Sequence, residues 1–559
     1  MAAWVLCMAA LLERGPVPAG ALAQEAPARN AAIPKVELPQ APVLPQAAQE
    51  SPPVTADALS SKYRLIEKYS TTDDPAHPEL ITQYRVGVLE TQKTVREKAQ
   101  GAPDREEITH QTIYTERVAQ VGKLGEATST VRRYDRFFMK ELATARPSKP
   151  PLLEGLTVLL RRQTGRKPQL LSLTSDRPIR EVEYSEMTNQ VFLPQLAALL
   201  PPAPRRVRDT WSISRQLAQT LVGEVPEPDD YEMNGALLEV RKSASGTGMT
   251  AIIDISGKMN LSIGLSSLRA QLHFVFDPAL ASSASPAAPS TAADKPLRKG
   301  RDLADAGIVE GRGRISRVLM VWAVSEVLPD GDGRLKQTKT YELNLERRFA
   351  PAGSDAAAGP NAPLTVPEPL PAPDESNSWI LYEDPARRFY FRHPQELTYG
   401  GSSDPNSLFM VERHPKGHVL LGINLQSKDS GRQNRDPEYH RRELAASWAK
   451  DQKDVVKGSA DWLPDADWGP LKRKVYRIEA ALMPKDQPGD NANRLYLDYY
   501  LVLLTNNESV VVNAMTERDS NIELRSVAEG LIKSFGLGQW GAQPKVPTAP
   551  AEPPPTPRN

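Results

Sequence analysis

The chain has 559 residues, enough for two to four domains of ordinary size. Its 69 Lys and Arg balance its 69 Asp and Glu, so the net charge is zero. That excludes the basic field on which nucleic-acid binders and proteins recruited to anionic membrane surfaces depend.

The first residues, "MAAWVLCMAALLERGPVPAGALAQ", hold an apolar run from Ala2 to Leu12 and the A-x-A pattern Ala21-Leu22-Ala23. This is the layout of a secretory signal, with cleavage expected after Ala23 and export to the periplasm or cell envelope of a bacterium. Cys7 is the one cysteine. The mature chain therefore has no thiol for a disulfide, a nucleophile or a metal. No other apolar run reaches the ~18 residues of a membrane span.

Proline supplies 51 of the residues and clusters between the periodic regions. Residues 24–58 read as a disordered tether, 279–300 as a disordered loop, 350–377 as a Pro/Ala-rich linker and 539–559 as a disordered tail. Two folded regions remain, 59–349 and 378–538.

The first region is mainly antiparallel β, a curved sheet or open barrel. In "RLKQTKTYELNLERRF", Leu335, Tyr341, Leu343, Leu345 and Phe349 share one parity, and the other parity is polar. Such alternation describes a sheet wet on one side. "SRVLMVWAVSEV" precedes it across the turn "PDGDG". Strands are also expected at "YRLIEKYS", "LITQYRVGVLE", "HQTIYTERVAQV", "EATSTVRRYDRFF", "GALLEVRKS" and "TAIIDISGKMNLSI". A helix is expected over 186–200, with Val191, Leu196, Leu199 and Leu200 as its stripe and a late start or kink at Pro194. After it come Leu200, Pro201, Val207, Asp209, Thr210 and Trp211. This passage is similar to one in uncharacterised β-rich domains of exported bacterial proteins. The likeness implies no activity, and it leaves open a barrel with an internal pocket, as in lipid carriers.

The second region orders its elements differently. "RFYFRHP" opens it, with Phe389 and Phe391 expected inward, Arg388, Tyr390 and Arg392 outward, and His393 at a surface strand end. Strands follow at "SLFMVER" and "HVLLGINLQS", a helix at "PEYHRRELAASWAKD", then three more strands. A helix closes the region, with Ser520 and Glu523 as a capping box, Leu524, Val527, Leu531 and Phe535 as its stripe and Gly536 as its stop. "LYLDYYLVLLT" ends apolar on both parities, which predicts a sheet covered on both faces: an α/β/α sandwich with a mostly antiparallel sheet.

Phe389, Phe391 and Pro394 at the opening and Ser534-Phe535 at the close make this region resemble the PsbP-like family (PsbP/DcrB-type domains). Leu397 and Tyr399 stand where that family has a tryptophan. The resemblance covers about 160 residues. It implies an α/β/α domain that binds or assembles with other proteins, and no catalysis.

Candidate chemistry is sparse. "DWLPDADW" sets Asp461, Asp465 and Asp467 beside Trp462 and Trp468, a pairing that binds sugars or activates water at a glycosidic bond. It reads first as a surface loop anchored by its tryptophans. His414 and His418 have metal-ligand spacing only on a helix, and Pro415 and Gly417 make this stretch a turn. "DGDG" at 330–333 reads as a hairpin turn rather than a calcium loop. "GRGR" at 311–314 lacks the strand–loop–helix setting of a phosphate cradle. No cofactor or metal is expected. The sequence thus points to a non-catalytic exported envelope protein that binds or scaffolds an unknown envelope partner. The alternatives are a carrier of a small apolar ligand in the β-rich domain and a hydrolase using the Asp461–Asp467 loop.

Overall fold

The structure, a computed structural model, describes residues 61–540 apart from short internal segments and the longer stretches 142–152, 279–307, 350–363, 464–473 and 485–494. The chain is mostly strand and divides into two compact units. Among the described residues, the larger unit takes the chain up to Arg177 and Val182–Pro373. The smaller takes Pro178–Glu181 and everything from Asp374.

The larger unit is built on one 12-stranded sheet. Its first strands are β1 (Lys62–Ile66), β2 (Gln83–Arg96), β3 (Asp104–Val121), β4 (Ala127–Glu141), β5 (Thr157–Arg161) and β6 (Gln169–Ser172). The next strand, β7 (Ile179–Arg180), belongs to the smaller unit. The sheet continues with β8 (Thr210–Ser212), β9 (Glu232–Lys242), β10 (Met249–Leu261), β11 (Gly264–Phe276), β12 (Ile308–Asp330) and β13 (Gly333–Phe349). The order is β6-β5-β4-β3-β2-β13-β12-β11-β10-β9-β8. Neighbours run antiparallel, and β1 lies parallel on β12. Four elements here escaped the sequence reading: β5, β6, β11 and a short helix at Arg215–Val222.

Period-two alternation sorts the side chains. Val86, Tyr114, Tyr134, Val318, Leu272, Ile253 and Leu237 share one face by register, and all are buried. We call this the inner face. On the other face of β13, Thr340, Glu342 and Asn344 are half-buried and Glu346 and Arg348 exposed, which is the wet side expected. The helix expected over 186–200 is two elements, α1 (Glu181–Asn189) and a 3-10 turn (Leu193–Leu199) with Pro194 in its first turn. Proline has no N–H to continue a helix from above, so the chain restarts there. Leu196, Leu199 and Leu200 are buried as expected, and Val191 is half-buried.

The passage ending at Trp211 is a packing device. Arg208 takes a positive φ of 76°, the Asp209 carboxylate accepts the Arg206 N–H at 2.8 Å, and the Trp211 indole covers Gly235 of β9. A Cβ at Gly235 would stand 2.4 Å from Trp211 Cε2. Gly235→Ala should therefore cost about 1–3 kcal/mol in a denaturant melt, and a neutral result would mean the indole is free to shift. "GRGR" is explained the same way: Gly311 and Gly313 let β12 pass against Phe276, where added Cβ atoms would come within 2.7 Å and 2.6 Å of its side chain.

The smaller unit holds two sheets. One has the order β24-β15-β14-β7, with β14 (Ile380–Glu383), β15 (Phe389–His393) and β24 (Gly536–Leu537). The other is eight-stranded and contains β16 (Thr398–Gly400), β17 (Ser407–His414), β18 (Gly417–Gln426), β19 (Lys453–Val455), β20 (Asp461–Leu463), β21 (Val475–Pro484), β22 (Leu495–Leu503) and β23 (Ser509–Thr516). Its helices are α3 (Pro437–Lys450) and α4 (Ile522–Ser534), the Arg215–Val222 helix being α2. Trp448 and Leu444 of α3 pack on Ile478, Leu497, Tyr499 and Leu501. Ala528, Leu531 and Ile532 of α4 pack on Tyr500, Val502 and Val512, on the opposite parity of β22. Both parities of β22 are therefore apolar because each meets a helix.

The opening strand is not part of the eight-stranded sheet. Phe389 and Phe391 point into the core as expected, and Phe535 stacks on both, at 5.5 and 6.3 Å between ring centroids. The Ser534 hydroxyl accepts the Arg392 N–H at 2.9 Å. His393 corrects the sequence reading. It is 2 % exposed, not a surface strand end, because it shares the parity of the two phenylalanines. Ser520 lies outside the described residues, as does the Leu524 side chain.

Candidate functional site

The polar groups most heavily built into the fold lie on the inner face of the 12-stranded sheet. Arg347 sits between Leu345 and Phe349 on the apolar parity of β13. Its side chain and that of Glu67, just past β1, are both 0 % exposed, and they pair at 2.9 Å. The Glu67 carboxylate also accepts the Ile315 N–H at 2.6 Å and the Tyr69 hydroxyl. Arg347 donates to the Ile315 carbonyl at 3.1 Å, and its guanidinium lies 4.3 Å over the Tyr84 ring.

Tyr84 carries the chain of contacts onward by donating to Glu116, its register partner on β3. Glu116 is paired at 2.7 Å with Arg132 of β4, also fully buried. Arg132 lies 4.1 Å over the Tyr114 ring and donates to the Tyr134 hydroxyl at 3.2 Å and to Gln190 Oε1 at 2.9 Å. Burial by itself would lower both arginines, but Glu67 and Glu116 beside them hold them well above the usual range. Burial first, and then the neighbouring glutamates, push Tyr69 and Tyr84 well up. The guanidinium groups are therefore permanently charged, the phenols are permanently protonated donors, and each cation faces its own carboxylate. Chemically this is a locked ion-pair network that fixes strand register. Arg132 Nη2 and Arg347 Nε have no hydrogen-bond partner among the described residues.

Gln190 reaches the network from the segment after α1. Gln190→Ala would leave Arg132 and Tyr134 each short of an acceptor. A loss of about 1–2 kcal/mol in thermal unfolding is expected, and an unchanged melting temperature would refute a tethering role. Farther along the same face, His110 Nδ1 lies 3.4 Å from Glu186 of α1 and opposite Glu90 in register. The hydrogen bond to Glu186 raises His110 against burial, and burial raises Glu90. Beyond them Trp322 stacks on Tyr341 at 4.7 Å, both half-buried, with the indole N–H unpartnered among the described residues.

The residues singled out in the sequence are elsewhere. Asp461 and Trp462 lie in β20, opposite Glu479 and Ile478 of β21. Asp465, Asp467, Trp468 and Ala23 fall outside the described residues. His414 and His418 flank a strand-to-strand hairpin, paired with Gly417 and Arg413 respectively. Asp330 and Gly333 close the β12–β13 hairpin. The apolar residues alone define strand parity and do not reveal the four network charges. The signal was present: a charge on the apolar parity of a strand must find a counter-charge.

No family model matches the chain, and no curated protein matches it. Among solved structures, a high-pH structure of Pseudomonas putida OprB is 7% identical, covering 78% of this chain and 93% of that one at a TM-score of 0.12. A loop-deletion mutant of OmpT, an outer membrane protein of Vibrio cholerae, is 8% identical, with 78% and 98% covered and a TM-score of 0.11. A LolA superfamily protein from Nitrosomonas europaea is 9% identical, with 50% and 90% covered and a TM-score of 0.11. Likenesses this low assign neither fold nor role.

Proposed function

We propose that the chain is a non-catalytic protein of the bacterial envelope that binds or scaffolds a protein partner. The observation that carries this reading is the inner-face network. Each of its cations is paired with its own carboxylate and its phenols donate to carboxylates or to Gln190 on the buried inner face of a large sheet, which makes a stiff platform rather than a reaction centre. Export rests on the Ala2–Leu12 run and the Ala21–Ala23 cleavage pattern. No described helix is long and apolar enough to cross a membrane. The smaller unit is read as a PsbP-like α/β/α domain of the PsbP/DcrB type. Its support is the helix on either face of the eight-stranded sheet and the convergence of Phe389, Phe391, Ser534 and Phe535.

Native mass spectrometry of the mature protein, taken gently from its own envelope, tests the proposal. A stoichiometric protein companion and a mature N-terminus at Gln24 are expected. A bound small mass lost on mild heating would replace this reading with the second one, carriage of an apolar ligand on the inner face. That second reading is favoured by the half-buried Trp322–Tyr341 stack with its unpartnered indole N–H. A mature N-terminus at Met1 would sink export.

A further inference from the structure

The stretch read as a free spacer is partly docked. Residues 364–373 belong to the larger unit. Leu364 is 6 % exposed and packs with Val131, Leu159 and Leu171, with Val366 and Leu370 beside it and Ala119 and Leu173 completing the patch. The Leu364 N–H donates to Gln83 Oε1 at 2.9 Å, and Arg161 donates to the Pro371 carbonyl at 2.6 Å. Val131 is on the opposite parity of β4 from Arg132, so this groove is on the face away from the ion-pair network. Between the docked apolar residues, Thr365, Glu368 and Pro369 are exposed. The groove therefore holds an irregular segment, Leu364–Pro371, which opens with the apolar-x-apolar-Pro sequence Leu364-Thr365-Val366-Pro367, by three apolar side chains (Leu364, Val366 and Leu370) and a hydrogen bond at either end.

With a polar residue between the two apolar ones, the same pattern recurs in Val36-Glu37-Leu38-Pro39, followed by further apolar residues through Pro45. Here too the interleaved residues, Glu37 and Gln40, are polar. We propose that the groove is an exchange site for proline-rich aliphatic segments, held by Leu364–Pro371 in the structure and open to Val36–Pro45 of the same chain. Reach permits it. The 17 residues from Pro45 to Lys62 span up to about 55 Å. The groove lies three to six strand steps from β12, on which β1 sits, or at most about 29 Å. Tethering gives both segments a high effective concentration, so weak docking suffices for either. Exchange would free residues 364–373 and lengthen the spacer between the units' sequences.

The test uses the full mature chain with both segments disabled, Leu38→Asp, Leu364→Asp and Val366→Asp together, and fluorescent peptides added in trans. The peptide of residues 34–47 should bind saturably. It should bind about tenfold or more tighter than the tail peptide 543–556, whose Lys545-Val546-Pro547 lacks the first apolar residue. Binding of a 362–373 peptide without binding of 34–47 would overturn the exchange and leave a fixed strap. Binding of neither would overturn the groove as a site. Should the triple variant not fold, hydrogen exchange on the unaltered chain decides. Excess 34–47 peptide should speed exchange at the Leu364 amide, and an unchanged rate overturns the proposal.

Discussion

Arg347→Met should destabilise the larger unit by about 3–5 kcal/mol. The substitution keeps an unbranched apolar stem, ends two bonds short of the terminal guanidinium nitrogens, and strands the Glu67 carboxylate, which is 0 % exposed, with only the Ile315 N–H and the Tyr69 hydroxyl. Tyr84 also loses the cation over its ring, so its contact with Glu116 loosens and the damage passes toward Arg132. Adding Glu67→Leu should restore a large part of the loss, because no buried charge is then left unpaired. Denaturant melts of the two single variants and the double variant measure this. A loss below about 1 kcal/mol for Arg347→Met would show that water reaches Glu67 and that the network is not dry.

His393 should make the smaller unit acid-sensitive. Burial lowers its imidazole to about 4 in the folded chain, against ~6.5 when unfolded. Above pH 6.5 the ring is neutral in both states and stability does not depend on it. As the pH falls from about 6.5 to 4, the unfolded chain takes up a proton that the folded chain refuses, so stability drops. The total loss is on the order of 3 kcal/mol. Nδ1 contacts the Pro394 carbonyl at 2.9 Å, and Nε2 has no partner among the described residues, so no acceptor waits for the second proton. His393→Phe, which keeps a ring 6.0 Å from Phe391, should flatten the dependence of melting temperature on pH between 4 and 6.5. An unchanged acid slope would assign the effect elsewhere. His273, which burial and then Arg317 and Arg241 lower to about 4, is the next group to examine.

Strand parity was the most legible feature of this chain. Alternation in "RLKQTKTYELNLERRF" named the wet face of β13, and the doubled apolar pattern of β22 marked a strand buried on both parities, Leu497, Tyr499 and Leu501 against Tyr500 and Val502. These are local consequences of side chains pointing alternately up and down, and any window of ten residues carries them. Proline at 194 marked a break in the helix for the same local reason.

The sites were less legible, because burial of a polar group depends on what arrives from elsewhere in the chain. Arg347 looks like one more charge near a strand end until Glu67, 280 residues away, is placed against it. His393 reads as a strand terminus until β14 pairs along it on one side and β24 beside Phe389 and Tyr390 on the other. Leu364 reads as linker until a face of β3–β6 is laid beneath it.

By itself, the sequence determined the class of its strongly periodic segments, the balance of charge and the single cysteine, since these depend on composition and short-range periodicity. Tertiary structure alone decided which charges are buried, which sheet takes the strand Phe389–His393, that Ile179–Arg180 completes the smaller unit's sheet, and where the spacer stops being free. Each of those depends on pairing between residues far apart in the chain, and strand register, not local propensity, selects the partner.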